Sequence, residues 1–331
     1  MVTPTGKRRI RLLALGALLL CLAGGVCYWQ AVGAGEENPR GNFWRVVRQG
    51  NPGFTTVTTQ GHKVLIQNAG ENWREIRNGF LMRGSQWVLG LALIGMGLFY
   101  FFVGTDRLEK PRSGVRIERF TLGERVLHWT TAVLFITMAV TGLSLLLGRL
   151  ALIPLFGHRA VSGYLQVVKG LHNYCGPLLL VAILLVFLLW VRHNIPKKAD
   201  LQWFKNMGGM ISRGPRPHSG KFNGGEKGWF WLVALFGIGV GITGVLLDFP
   251  IWGQSRFTMT LSHGIHATLA ILFIAASFGH IYVGTLGLEG VFEGIWKGSV
   301  DAVWAQQHAD LWYQEKQRER EAKPKPEKPL P

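Results

Sequence analysis

Apolar residues in this chain are gathered into long blocks with short polar stretches between them. An α-helix needs about 20 predominantly apolar residues to cross the hydrocarbon core of a bilayer, and five or six blocks of that order are present. The first clear span is Gln86 to Gly104. Four more follow, at about Val126 to Leu147, Gly170 to Val191, Gly228 to Phe249 and Leu261 to Val283. The chain is therefore expected to be an all-α integral membrane protein.

Ahead of these spans, Lys7-Arg-Arg-Ile-Arg11 leads into the shorter apolar run Leu12 to Val26, a pattern that secretory signals and signal-anchors share. Ala31-Val-Gly-Ala-Gly-Glu offers small residues for cleavage, and both readings stay open. The expected organisation is a signal peptide or signal-anchor at 1–34, an exported segment at 35–85 and an additional transmembrane helix at 86–104. A cytoplasmic loop at 105–125, a four-helix core at 126–283 and a cytoplasmic tail at 284–331 complete it. The exported segment holds a turn and a β-prone run, Asn51-Pro-Gly-Phe-Thr-Thr-Val-Thr-Thr-Gln, but is too short to promise a core of its own. It is either a solvated tether or a surface that docks on a partner. Ala322 to Pro331, rich in Pro, Lys and Glu, has the composition of a disordered end.

The formal charge of +17 changes this picture only in one respect, orientation. Six Lys or Arg lie in Thr105 to Arg125 and eight in Arg192 to Gly228, against two in Gly148 to Val168 and one in Ile251 to Ser262. The positive-inside rule puts the first two segments in the cytoplasm. Basic residues divided among short loops in this way argue against nucleic acid as a partner.

Histidine is expensive in hydrocarbon and marks function there. His266 and His280 lie fourteen residues apart in the last span, which leaves them about 40° apart round the helix and roughly 21 Å apart along it. They share a face, the arrangement expected if one helix serves two stacked haems, each iron taking a second imidazole from another helix. Depth supplies the partners. His128 sits where its helix enters from the cytoplasm and His172 where the next enters from outside, so His128 pairs with His280 and His172 with His266. His263 points away from the shared face, and His62, His158, His193, His218 and His308 fall in exposed segments or at helix ends without a matched partner. Gly142, Gly176 and Gly244 are candidates to make room for a porphyrin between helices, or simply for close helix packing.

Three cysteines, Cys21, Cys27 and Cys175, all lie in apolar blocks, and no Cys-x-x-Cys-His occurs. Haem would be held without covalent attachment, as b-type haem, and an iron-sulfur centre would belong to a partner.

From about Arg119 the chain resembles the gamma subunit of membrane-bound respiratory formate dehydrogenase, a four-helix transmembrane di-haem cytochrome b bundle. The motifs are Arg125-Val-Leu-His-Trp, Gly170-Leu-His-Asn-Tyr-Cys-Gly176, Arg192-His-Asn-Ile-Pro-Lys-Lys198, Lys221-Phe-Asn-Gly-Gly-Glu-Lys227, Thr243-Gly-Val and the spaced histidines ending in His280-Ile-Tyr. The residues before Arg119 look like the N-terminal extension of longer gamma subunits. The resemblance implies an inner-membrane location and two b-type haems, one on His128 and His280 and the other on His172 and His266. It also implies a quinone pocket, for menaquinone or ubiquinone, edged by His280, Asn223 and Glu226, although shorter family members tend to carry Gln where Glu226 stands. The implied partners are a molybdenum or tungsten catalytic subunit and an iron-sulfur subunit outside the membrane, in a complex compatible with a higher oligomer. A hydrogenase-type or thiosulfate-reductase-type cytochrome b remains open beside this reading, as does a membrane anchor or transporter without haem.

Overall fold

The computed structural model describes residues 73–210 and 216–322, together with Arg48. The expected leader at 1–34, most of the exported segment and residues 323–331 lie outside the described residues.

Among the described residues, five helices are long and apolar enough to cross a membrane: Trp73–Phe102, Leu122–Ala151, Ile153–His193, Gly224–Asp248 and Arg256–Gly287. Each expected span is present and each is longer than the apolar block that announced it. A helix continues for as long as its backbone bonds can form, whereas hydropathy registers only the part immersed in lipid. The first span begins at Trp73, so the boundary drawn at 85 between exported segment and helix falls inside a helix.

The helices are α1 Met82–Phe102, α2 Leu122–Ala151, α3 Ile153–Trp190, the short α4 Lys198–Lys205, α5 Gly224–Asp248 and α6 Arg256–Tyr282. Side-chain caps start three of the long ones. Thr121 and Glu124 form a capping box at α2, Asn223 and Glu226 another at α5, and the Ser255 hydroxyl accepts from the Thr258 N–H at α6. Near the start of α3, Gly157 breaks the helical run with φ 75° and ψ 163°, a backbone state essentially confined to glycine.

Packing is sequential. α2 runs along α3, α3 along α5 and α5 along α6, while α1 lies against α6. The backbone of α6 makes no comparable contact with α2 or α3, so across that gap side chains meet instead. Apolar residues such as Val133, Val140, Val181, Leu188 and Leu235 are exposed on the outer faces of the bundle, as a lipid-facing surface requires.

One end of the bundle carries a folded cap. Strand β1, Arg116–Glu118, pairs antiparallel with β2, Ser299–Asp301, in the register Ile117 to Val300. Between α6 and the sheet lies α7, Val291–Lys297; beyond it come α8, Ala302–His308, and α9, Asp310–Ala322. Ile117, Leu288, Val300, Trp304, Ala305, Ala309 and Trp312 bury one another in a small core. Much of the stretch expected as a tail is therefore packed structure. Asp106 bonds through its backbone to Gly287 and Glu289 of that stretch and is itself held by a bidentate pair from Arg216 at 2.6 and 2.8 Å.

Candidate functional site

The four intramembrane histidines meet in two pairs. His128 on α2 faces His280 on α6 with ring centroids 6.3 Å apart, near the capped end. His172 on α3 faces His266 on α6 with centroids 6.2 Å apart, toward the other end. Metal–imidazole bonds of about 2 Å, with each ring centre about 1.2 Å beyond its nitrogen, put two axial imidazoles roughly 6.3 Å apart across one metal. Both pairs match that separation. The helices bearing the paired rings are also those whose backbones make few close contacts with each other. Among the described residues no three His, Cys, Asp or Glu side chains converge as an all-protein metal site. A haem asks the protein for only two.

The outer edges of the rings are held differently in the two pairs. His172 Nδ1 lies 2.8 Å from Thr141 Oγ1. His266 Nδ1 lies 3.1 Å from the Val240 carbonyl and 3.2 Å from Thr243 Oγ1. In the other pair, His128 Nδ1 is buried without a hydrogen-bond partner, and the His280 ring stacks on Trp229 at 4.5 Å with an interplanar angle of 8°.

Two of the three glycines expected to make room lie directly against this chemistry. A Cβ at Gly142 would stand 3.2 Å from His172 Cε1, and one at Gly244 would stand 3.3 Å from His266 Cε1. Gly176 instead faces Met138 Cε, at an ordinary 3.5 Å. Sequence reasoning named Gly142 and Gly244, and Thr243 only within a family motif, but gave neither preceding threonine a role. The repeated Thr-Gly step was readable in the sequence as a pattern, without anything there to say what it touched.

Asn223 and Glu226 sit at the capped end of α5. The Asn223 side chain accepts from the Glu226 N–H at 3.0 Å, and a Glu226 carboxylate oxygen accepts from the Asn223 N–H at 3.0 Å. Glu226 also pairs with Arg119 at 2.8 Å, whose side chain is 2% exposed. A buried guanidinium of this kind needs its carboxylate, because an uncompensated charge there costs several kcal/mol. Trp229 follows Glu226 by one turn on the same helix face and reaches His280. A neighbouring junction is tied by Glu124, which accepts from Trp190 Nε1 at 2.8 Å and from Lys221 Nζ at 3.0 Å.

Among the described histidines given no partner from sequence, His308, at the end of α8 as its helix-end placement expected, is set apart by its burial. It is half-buried in the cap rather than exposed, 5.2 Å from the Trp304 ring, with Nε2 shielded and without a hydrogen-bond partner. Burial, aided by the Arg216 and Arg119 charges and opposed by Asp106, pushes its pKa down to about 4.

The chain is similar in sequence to known cytochrome subunits. Residues 119–298 match the family model described as prokaryotic cytochrome b561. The cytochrome b556(fdo) subunit of formate dehydrogenase from Escherichia coli K12 is 28% identical over 214 residues, covering 62% of this chain and 96% of the relative. The nitrate-inducible cytochrome b556(Fdn) subunit of the same strain is 29% identical over 196 residues, 58% of this chain and 88% of the relative. The formate dehydrogenase cytochrome b556 subunit of Haemophilus influenzae is 26% identical over 211 residues, 61% of this chain and 84% of the relative. These are the proteins that the motifs resemble. With a family match over more than half its length and five helices able to span a bilayer, the chain belongs to the prokaryotic cytochrome b561 family, as a multi-pass protein of the bacterial inner membrane.

Proposed function

We propose that the chain is the cytochrome b subunit of a respiratory formate dehydrogenase. In this reading it passes electrons from a periplasmic iron-sulfur partner of a molybdenum or tungsten formate-oxidising subunit, through two b haems, to membrane menaquinone or ubiquinone. The observation that carries it is the pair of facing imidazoles at each end of α6, at 6.3 and 6.2 Å. The names of the relatives support the donor.

Haem bound at each pair supplies a reversible one-electron iron couple. His172 and His266 hold the haem nearer the periplasm, and His128 and His280 the one at the capped, cytoplasmic end. The six and eight basic residues of the two loops at that end support this orientation. Gly142 and Gly244 keep the outer imidazoles free of Cβ clashes. The first turn of α5 borders the inner pair through Trp229, and the quinone pocket is proposed there, edged by His280, Asn223 and Glu226. Asn223 spends its side-chain oxygen on the cap, which leaves its amide N–H groups to donate to a quinone carbonyl. Glu226, paired with Arg119 yet partly accessible, keeps an acceptor at a water-facing helix end where protons must enter.

The test starts with haem content. The purified chain should carry two non-covalent b haems; His172→Ala and His266→Ala should each remove one, and His128→Ala the other. A preparation without haem b would sink the cytochrome reading in favour of an anchor or transporter. For the pocket, Asn223→Asp preserves the helix cap while removing the amide donors. Reoxidation of reduced haem by a menaquinone analogue should slow in this variant; an unchanged rate with both haems present removes Asn223 from the pocket. Copurification of partners that reduce the haems on formate addition tests the donor.

A further inference from the structure

We infer that the Thr-Gly steps Thr141-Gly142 on α2 and Thr243-Gly244 on α5 are twin positioning devices. They fix both outer imidazoles as the Nδ1–H tautomer and, by accepting that proton in a hydrogen bond, make the outer haem the lower-potential centre of the two. The inference rests on the ligation proposed above for His172 and His266.

The tautomer follows from counting protons. A threonine hydroxyl has one proton to donate. Thr141 directs its own into its helix, toward the carbonyls of Thr137 at 2.7 Å and Met138 at 3.2 Å. What it offers His172 Nδ1 at 2.8 Å is therefore a lone pair, and the imidazole must donate. Thr243 does the same, toward Gly239 at 2.8 Å and Val240 at 3.0 Å. His266 Nδ1 additionally faces the Val240 carbonyl, which can only accept. In both rings the proton is on Nδ1, and the Nε2 lone pair is left for the metal.

The glycine completes each device. Its missing Cβ lets the neighbouring helix bring the threonine oxygen up to Nδ1 while the ring edge passes 3.2 to 3.3 Å from where that Cβ would be. The same two-residue step thus acts twice, from α2 onto α3 and from α5 onto α6. Among the described residues nothing equivalent holds the inner pair. There His128 Nδ1 is buried without a partner, and His280 rests on the face of Trp229.

Donation from Nδ1–H raises the basicity of the ligating nitrogen. A more basic axial ligand favours the oxidised iron, and second-shell bonds of this kind are an established lever on haem potential. Such bonds act on both imidazoles of the outer site, whereas at the inner site His128 Nδ1 has none. An electron arriving at the periplasmic side would then run downhill toward the capped end, where the quinone pocket is proposed.

The experiment is a redox titration of the purified chain, with the two haems assigned through His128→Ala. In the wild type the lower-potential haem should be the one that survives in His128→Ala. Thr141→Val, which keeps the shape and removes the acceptor, should raise the outer potential and leave the inner one unchanged; Thr141→Ser should restore it. Thr243→Val should give a smaller shift of the same sign, because Val240 still accepts, and it carries the test if Thr141→Val fails to bind the outer haem. The inference is overturned if the outer haem is the higher-potential one, or if the outer potential stays put in a threonine variant with both haems present. A wild-type chain without haem would instead overturn the ligation itself.

Discussion

Phe135 of α2 and Phe273 of α6 meet with ring centroids 4.7 Å apart, tilted by 54°, across the gap where the two backbones make little contact. Each lies seven residues from a histidine at the capped end, Phe135 after His128 and Phe273 before His280, and Phe273 also lies seven after His266. At two turns per seven residues the rings fall on the histidine face, in the layer between the two pairs. Leu179 and Ile183 of α3 close that layer around them.

Phe273→Ala should therefore weaken the bundle without touching either ligand set. Removing a phenylalanine 5% exposed in a packed layer costs about 3 kcal/mol. The measurement is the temperature at which Soret absorbance is lost in detergent, with haem stoichiometry taken beforehand. Two bound haems and a lowered midpoint are expected; an unchanged midpoint would mean that this contact does not hold α6 to α2.

The three glycines should separate by what they face. Gly142→Leu and Gly244→Leu should each abolish the outer haem and spare the inner one, since the bulk is driven into His172 or His266. Gly142→Ala should bind it with a perturbed spectrum, because a ring at 3.2 Å has to yield by a few tenths of an ångström. Gly176→Ala, facing only Met138 at 3.5 Å, should be spectrally silent. Equal effects at all three positions would contradict the geometry.

The cap should loosen in mild acid through His308. Its folded pKa of about 4 lies below the unfolded value of about 6.5, so the unfolded state binds the proton more readily. Stability is fully present above the unfolded value and falls as pH drops from there toward 4. The carboxylates act lower. Burial pushes Asp301 up, but donation from the Val303, Ser113 and Gly114 N–H groups outweighs it and holds the pKa below the ordinary value. Proteolysis of α8 and α9 between pH 7 and pH 5 should accelerate in the wild type and much less in His308→Gln (about 7 and 5 bracketing the histidine window). An identical pH dependence in both would place the acid sensitivity elsewhere.

Reporter fusions after Lys227 should read cytoplasmic and those after Gln254 exported. The basic loops that carry this expectation stand at the same end of the bundle as the cap. The opposite pattern would put the proposed quinone pocket on the periplasmic side, where proton uptake would not build a membrane potential.

The spans, and the sharing of one face by His266 and His280, were fixed by local rules. An apolar run of about 20 residues is accommodated in a bilayer as a helix, and a helix has one period, so spacing alone locates side chains round it. The histidine pairing was legible for the same reason, because depth along a span is a count of residues. Other features depended on residues far apart in sequence. Strand β1 and strand β2 are three residues each and lie about 180 positions apart, too short for a periodic signal, so the cap formed by residues expected as a tail emerged only from their pairing. Asn223 and Glu226 were readable as polar residues at a helix start, but Arg119, buried and ion-paired to Glu226, joins them only through the folded cap. Gly142 and Gly244 each follow a threonine and Gly176 does not, but which glycine meets an imidazole depends on the rotation of each helix against its neighbour, set by packing across the whole bundle.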